Sequence, residues 1–139
     1  MELAKQEQYI EVGIGKEKYA VQIQDIHEII KLQDITTIPN SKTYVKGVIN
    51  LRGKIVPVIS LCSRFGLMEE SYTKSTRIIV INHVDEMVGM IVDRVNQVTT
   101  ISDIQPPLLN AGDTESAGII GFGQTESGLV GILKLEQVL

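Results

Sequence analysis

Residues 46–61, KGVINLRGKIVPVISL, decide how this chain is read. The run is apolar but interrupted twice, by an Asn-Leu-Arg-Gly segment at 50–53 and by Pro57 in its second half. β-Branched segments on either side of a short polar tetrapeptide predict a strand pair over 47–50 and 54–61. Residues 50–53 then form the hairpin connection, with Gly53 available for the positive φ of a tight turn. Arg52 projects from that turn, where binding residues are commonly mounted. Proline cannot donate to a ladder, so the strand holding Pro57 is predicted to lie at an edge or to be bulged there.

Working outward, Ile10, Val12 and Ile14 alternate with Tyr9, Glu11 and Gly13, which predicts a half-buried strand. A turn at 15–18 and renewed alternation through Tyr19, Val21 and Ile23 complete a hairpin over 9–23. The period then changes. Asp25 precedes Ile26, Ile29 and Ile30, and Glu28 follows it at +3. That is the Asp form of a capping box and predicts a helix of about two turns, with His27 exposed on it. Too short to persist alone, the helix has to lie on a sheet. A loop is expected over 36–41 and a short helical turn or loop over 63–70. Strands follow at 77–82, 87–92 and 95–101, and His83 falls in a turn. The connection 102–117 is long for a compact domain. A last hairpin is expected at 118–123 and 129–133, then a terminal turn at 135–139. At least eight short strands with little helix predict a barrel or sandwich.

A chain of 139 residues buries roughly 68–70 % of its unfolded surface as one domain. Without tryptophan and with two Phe and four Tyr, the core must be built from Val, Ile and Leu. The balance of 13 Lys and Arg against 17 Asp and Glu, with no basic run, argues against nucleic acid. A single cysteine, Cys62, excludes an internal disulfide and is read as a small buried hydrophobe. The N-terminal stretch has no apolar core of a signal peptide, and no run reaches the ~20 apolar residues of a membrane span. A cytoplasmic protein without direct membrane insertion is expected.

Catalytic chemistry finds little support. The glycine-rich segment 118–123 has the wrong order for a dinucleotide fingerprint, and there is no P-loop, HExxH or GxSxG. His27 and His83 have no Cys or His at metal spacing. Asp85 and Glu86 read as solvated acids of a turn. No catalytic residue, cofactor or metal is assigned. A small β domain without a titratable cluster suits a binding module that recognises partners through grooves and edges.

The opening stretch resembles the signature hairpin of the CheW-like domain family, a GV-x-NLRG turn followed by an apolar strand with an internal proline. Residues 8–30 resemble the family's opening hairpin and its D-I-x-x-V-x-E-I-type helix. VGMIVDRVNQV, residues 88–98, is similar to its V-G-I-V-V-D-x-V-x-x-V strand pair, and GLVGILKLEQVL, residues 128–139, to its closing strand. Nearly the whole chain is covered. A start at Met1 and an end just after the last family block imply a free-standing coupling domain rather than one fused to a receiver or a kinase.

The resemblance implies a mainly β protein, two small SH3-like antiparallel β-barrel subdomains packed side by side with one or two short helices. They form a single domain over 1–139, with room for strand exchange between subdomains at the termini. It implies a non-catalytic adaptor that ties the cytoplasmic tip of a methyl-accepting chemotaxis receptor to the regulatory domain of the histidine kinase CheA. Other copies of the coupling protein are further partners. The receptor helix would lie in the groove between the barrels. Residue by residue, receptor or kinase contact is carried over to Ile26 and Glu28 of the first helix, to Arg52 of the NLRG turn, to Gly89, and to Val98 of the second-barrel strand. Departures from the pattern are Arg77 in place of a small apolar residue, Lys134 in the closing strand, and a 104–110 loop lacking the usual basic residue before its prolines. Two alternatives stand beside this reading: a scaffold of another receptor–kinase pathway, and a β-barrel that binds a small ligand.

Overall fold

A computed structural model describes residues 7–39, 41–67, 71–83, 85–101, 104–105, 119–126 and 128–134. Strands β1 (Glu7–Ile14) and β2 (Glu17–Gln22) form the N-terminal hairpin. One 3-10 turn, Ile23–Asp25, leads into β3 (Ile26–Lys31), β4 (Val45–Leu51) and β5 (Lys54–Ser60). A four-residue helix α1 (Leu61–Arg64) precedes β6 (Arg77–His83), β7 (Glu86–Val92), β8 (Arg94–Ile101) and β9 (Ile104–Gln105). The hairpin β10 (Ile119–Thr125) and β11 (Gly128–Leu133) follows. The terminal turn expected at 135–139, and the connection 102–117 apart from β9, lie outside the described residues.

The strands make two sheets, β8-β1-β2-β11-β10-β9 and β3-β6-β7-β5-β4. The chain is mainly β with little helix, as the spacing of apolar runs predicts. The N-terminal hairpin sits in the sheet built otherwise from the C-terminal third. Two pairings depart from the antiparallel expectation: β5 runs parallel to β7 and β2 parallel to β11.

Each sheet curls around its own apolar filling, and a third cluster joins them. Ile49, Leu51, Val56, Val58, Ile78, Val80 and Ile91 fill the five-stranded barrel. Tyr9, Ala20, Ile101, Val130 and Ile132 fill the six-stranded one. Between the sheets, Ile10, Val12, Ile14 and Val21 meet Ile59, Ile79, Ile81, Met90 and Val92. Fully burying each such side chain contributes roughly 1.5–3 kcal/mol. Cys62 belongs to this middle cluster, as its reading as a small hydrophobe requires. Its helix is capped by Ser60, whose hydroxyl accepts from the Ser63 N–H at 3.1 Å.

This arrangement corrects the reading of β1 as half-buried. Both of its faces are covered: Ile10 and Val12 point to the middle cluster, while Tyr9 and Glu11, 2 % and 1 % exposed, point into the six-stranded barrel. Alternation reports one buried face, and cannot tell solvent from a second, partly polar interior.

The five-stranded barrel closes where the chain beyond β3 meets β4. Thr36 and Val48 exchange two backbone hydrogen bonds of 2.9 Å. β4 carries a bulge between Val45 and Gly47. Gly47 has φ +146°, and a Cβ there would lie 2.0 Å from the Thr36 carbonyl oxygen, so the seam closes only on glycine.

Pro57 is accommodated without β5 becoming an outer strand, since β5 has β7 and β4 on its two sides. Leu51 and Lys54 close a two-residue turn, and Val48 lies opposite Pro57. Counting from that turn, this is a non-hydrogen-bonded pair, so the proline nitrogen points away from β4. The ladder to β7 begins only at Val58. At Pro57 the strand is therefore a local edge, although it is central a residue later.

Candidate functional site

The turn between β4 and β5 is Arg52-Gly53, with φ +51° and +89°. Two positive φ values in a two-residue loop meet the requirement of a type I′ turn, and the Gly53 N–H donates to Asn50 Oδ1 at 2.8 Å. Arginine is an unusual occupant of the first position, where Asn, Asp or Gly is favoured. Its side chain reaches across the barrel mouth to Glu28, 24 residues away. Nη1 donates to Oε1 at 3.4 Å, and Nη2 makes a closer contact with Oε2. The His27 imidazole lies 3.6 Å from the same carboxylate. The sequence-predicted residues Glu28 and Arg52 are thus brought together as a two-pronged ion pair, largely exposed on the arginine side.

The Arg52 guanidinium, donating to the Glu28 carboxylate, holds its pKa below the ordinary 4.5. Partial burial works in the opposite direction, and His27 adds a weaker downward pull. A depressed folded pKa means that the pair's contribution is complete above the ordinary carboxylate value and is lost as the pH falls through the lower, folded one. A carboxyl-detected NMR titration is expected to place the Glu28 midpoint below 4.5. Arg52→Gln should move it upward. A wild-type midpoint at or above the ordinary value would show that the ion pair does not persist in solution.

Residues 26–31 are a strand, and the two-turn helix predicted there does not form. The capping-box signal fails because the i, i+3 spacing of Ile26 and Ile29 has another source. His27 is an extra residue in a β-bulge between Ile26 and Glu28. Ile26 lies opposite Ile81 and Ile29 opposite Ile79, and both partners belong to the middle cluster. Directly opposed side chains share a face, so the bulge puts two residues three apart on one side of a strand. His27 is consequently exposed on a strand edge rather than on a helix.

The opposite edge repeats the device. In β8, Asn96 is the extra residue: Val95 lies opposite Val12, Gln97 opposite Glu11, and Val98 opposite Ile10. Val12 and Ile10 belong to the middle cluster, so Val95 and Val98 also share the face toward the seam between the sheets. β3 and β8 are outer strands of their respective sheets. Ile26 and Val95 pack on the same cluster, while Ile29 and Val98 stand out at 37 % and 56 % exposed. An isoleucine pair and a valine pair thus face the middle cluster, one from the outer strand of each sheet, and Glu28 and Arg52 stand at the mouth of the five-stranded barrel.

Of the predicted contact residues, Ile26 is half-buried against the middle cluster and Val98 stands exposed on the outer strand of the other sheet from Glu28 and Arg52. Gly89 is not on the surface. It lies opposite both Val58 and Val80 in the middle of the five-stranded sheet, and a Cβ there would be 2.8 Å from Ile78 Cγ2. Its place is a packing position inside the barrel, so it is withdrawn as a contact. Ile29 and Val95 were missed as rim residues. The signal was present as paired i, i+3 apolar residues around two polar residues of each edge strand, but it reads as helix in one case and as plain alternation in the other. Arg77, a departure noted above, donates to the Lys74 and Thr76 carbonyls at 2.8 and 2.9 Å, which folds it onto its own loop.

Among the described residues, no three His, Cys, Asp or Glu side chains gather as a metal site, and no helix is long and apolar enough to cross a membrane. Comparison with known proteins supplies the context. The family model described as the CheW-like domain matches residues 8–139. A chemotaxis protein CheW of Helicobacter pylori is 39 % identical over 95 % of this chain and 81 % of its own length. That of Thermotoga maritima is 34 % identical over 97 % and 89 %. Protein PilI of Pseudomonas aeruginosa is 33 % identical over 68 % of this chain and 56 % of its own. The crystal structure of the scaffolding protein TtCheW from Thermoanaerobacter tengcongensis superposes with a TM-score of 0.85 at 36 % identity, covering 94 % of this chain and 86 % of that one. With two curled sheets around a shared seam and a family match running from β1 past β11, the chain belongs to the CheW-like domain family, the coupling scaffolds of chemotaxis.

Proposed function

We propose that this chain works in the cytoplasm as a single two-barrel domain, a non-catalytic adaptor that holds the signalling tip of a methyl-accepting chemotaxis receptor against the regulatory domain of CheA. The observation that carries this reading is the double-rimmed seam. Two apolar pairs, each at i, i+3 on the outer strand of one sheet, face the cluster that joins the sheets, and an ion pair stands at the mouth of the five-stranded barrel. A helix laid along such a cleft buries its apolar stripe between the rims, while charged groups fix its register and orientation. The names of the relatives, chemotaxis proteins and a scaffolding protein, agree with an adaptor. The match to PilI leaves the same geometry available to a related receptor–kinase pathway.

The test is a pull-down of the purified chain with a receptor signalling hairpin and a CheA regulatory domain, followed by NMR shift mapping with the hairpin alone. A ternary complex is expected, with the largest methyl shifts at Ile26, Ile29, Val95 and Val98. No binding of the hairpin, or shifts confined to surfaces away from these four residues, would overturn the assignment.

A further inference from the structure

We propose that Glu11 is a positioning residue for this docking surface: its buried carboxylate fixes the β8 bulge that turns Val95 and Val98 onto one side of the seam. The inference rests on the reading of the seam as a receptor-helix cleft and extends it to a residue that no partner touches.

Glu11 points into the six-stranded barrel and is 1 % exposed. A carboxylate in such a place is tolerated only when hydrogen bonds replace its hydration. Asn96 Nδ2 donates to Oε2 at 2.9 Å and Gln97 Nε2 to Oε1 at 3.3 Å, with Thr125 Oγ1 3.4 Å from Oε1. Asn96 and Gln97 are consecutive. In a regular strand, consecutive side chains leave by opposite faces, so both amides can reach one carboxylate only because the bulge lies at Asn96. Thr125 ties the same group to the β10–β11 turn. Gln97, Val98 and Thr125 also line an open cleft at this end of the barrel.

The alternative register shows what the carboxylate selects. If the ladder ran on without a bulge from Ile10–Val98 and Glu11–Gln97, Asn96 would face Val12, and Val95 would turn to the other side. The rim would lose one of its two valines and gain an amide. Burial of Val95 favours the bulge as well; Glu11 adds a shared acceptor for the two amides that the bulge brings together.

Glu11→Gln keeps the shape but turns one acceptor into a donor. It is expected to lower affinity for the receptor hairpin about fivefold to tenfold, the scale of one lost ordinary hydrogen bond. The amide shifts of 94–98 and the Val95–Val12 NOE of the free protein should change with it. Glu11→Gln combined with Asn96→Asp exchanges donor and acceptor and is expected to restore both. A double-mutant cycle with Val95→Ala, the valine whose side the bulge sets, separates placement from general loss of structure. If Glu11 acts through the valine rim, the Glu11→Gln effect should shrink when Val95 is already truncated. Strictly additive effects, an unchanged affinity for Glu11→Gln, or failure of the exchange variant to recover would overturn the proposal. If the wild-type chain does not bind the hairpin at all, the adaptor reading fails instead. The free-protein NOE then still decides whether Glu11 sets the bulge: an undisturbed NOE in Glu11→Gln refutes it.

Discussion

Gly47→Ala is expected to cost this protein about 4 kcal/mol or to leave it unfolded, because backbone strain and overpacking, each worth roughly 1–3 kcal/mol, fall on one atom. At φ +146° an L-residue is strained before any neighbour is considered, and the new methyl would lie 2.0 Å from Thr36 O, 2.7 Å from Thr36 C and 2.9 Å from Ile35 Cγ2. The first two are backbone atoms, so relief requires Thr36 to retreat. That breaks its two hydrogen bonds to Val48 and opens the barrel. Loss on this scale takes away much of the ~5–15 kcal/mol by which a domain is stable. Gly15→Ala is the control. Gly15 also has a positive φ, +61°, but nothing lies within 4 Å of its missing Cβ, and the expected cost is about 1 kcal/mol. Urea denaturation of the two variants makes the comparison. Equal small losses would mean that the seam does not close as tightly as described.

What the sequence revealed followed from features confined to one or two turns of chain. The NLRG turn, the flanking strands and the final hairpin depend on local φ requirements and local apolar runs. All three were readable, down to Gly53 as the positive-φ residue. Glu28 and Arg52 were each legible as single residues through the family motif, but their pairing was not, since 24 residues and a barrel mouth separate them. The failures share one cause. A bulge shifts the side-chain period from two toward three, so Ile26 and Ile29 imitate a helical stripe. Nothing in one strand's composition reveals that its partner strand has one residue fewer at that point. Glu11 misled in a similar way. Glu11 looked like the solvent face of β1 because a buried acid needs partners that lie some 85 residues downstream, at Asn96 and Gln97. Pro57 was read as marking an edge or a bulge, and the register of β7, beginning at Val58, shows that β5 is an edge for just part of its length. Gly89 was carried over as a contact although glycine serves there to let β7 pass against Ile78.

Arg52→Asn is expected to leave thermal stability unchanged or raised while reducing affinity for the receptor hairpin at least about tenfold, since charged groups at such a cleft act on partner choice and register more than on folding. Asparagine suits a φ of +51° better than arginine does. A turn that keeps arginine against its own conformational preference, and spends the side chain on a largely exposed ion pair, gains little folding stability from that choice. The gain has to lie in what the guanidinium presents. Glu28 holds it by two prongs, which lowers the rotamer freedom a partner would otherwise have to freeze on binding. Two variants separate the roles. Glu28→Ala frees the guanidinium without removing it, and is expected to weaken the hairpin complex less than Arg52→Asn. The exchange of Glu28→Arg with Arg52→Glu can re-form the pair with its charges reversed. If the pair merely braces the barrel mouth, the exchange variant will bind as the wild type does. If Arg52 itself meets the receptor helix, the exchange will bind no better than Arg52→Asn, because the partner's acidic or carbonyl groups would then face a carboxylate. Calorimetry of the three variants with the hairpin, each checked first for an unchanged melting temperature, decides between a brace and a contact.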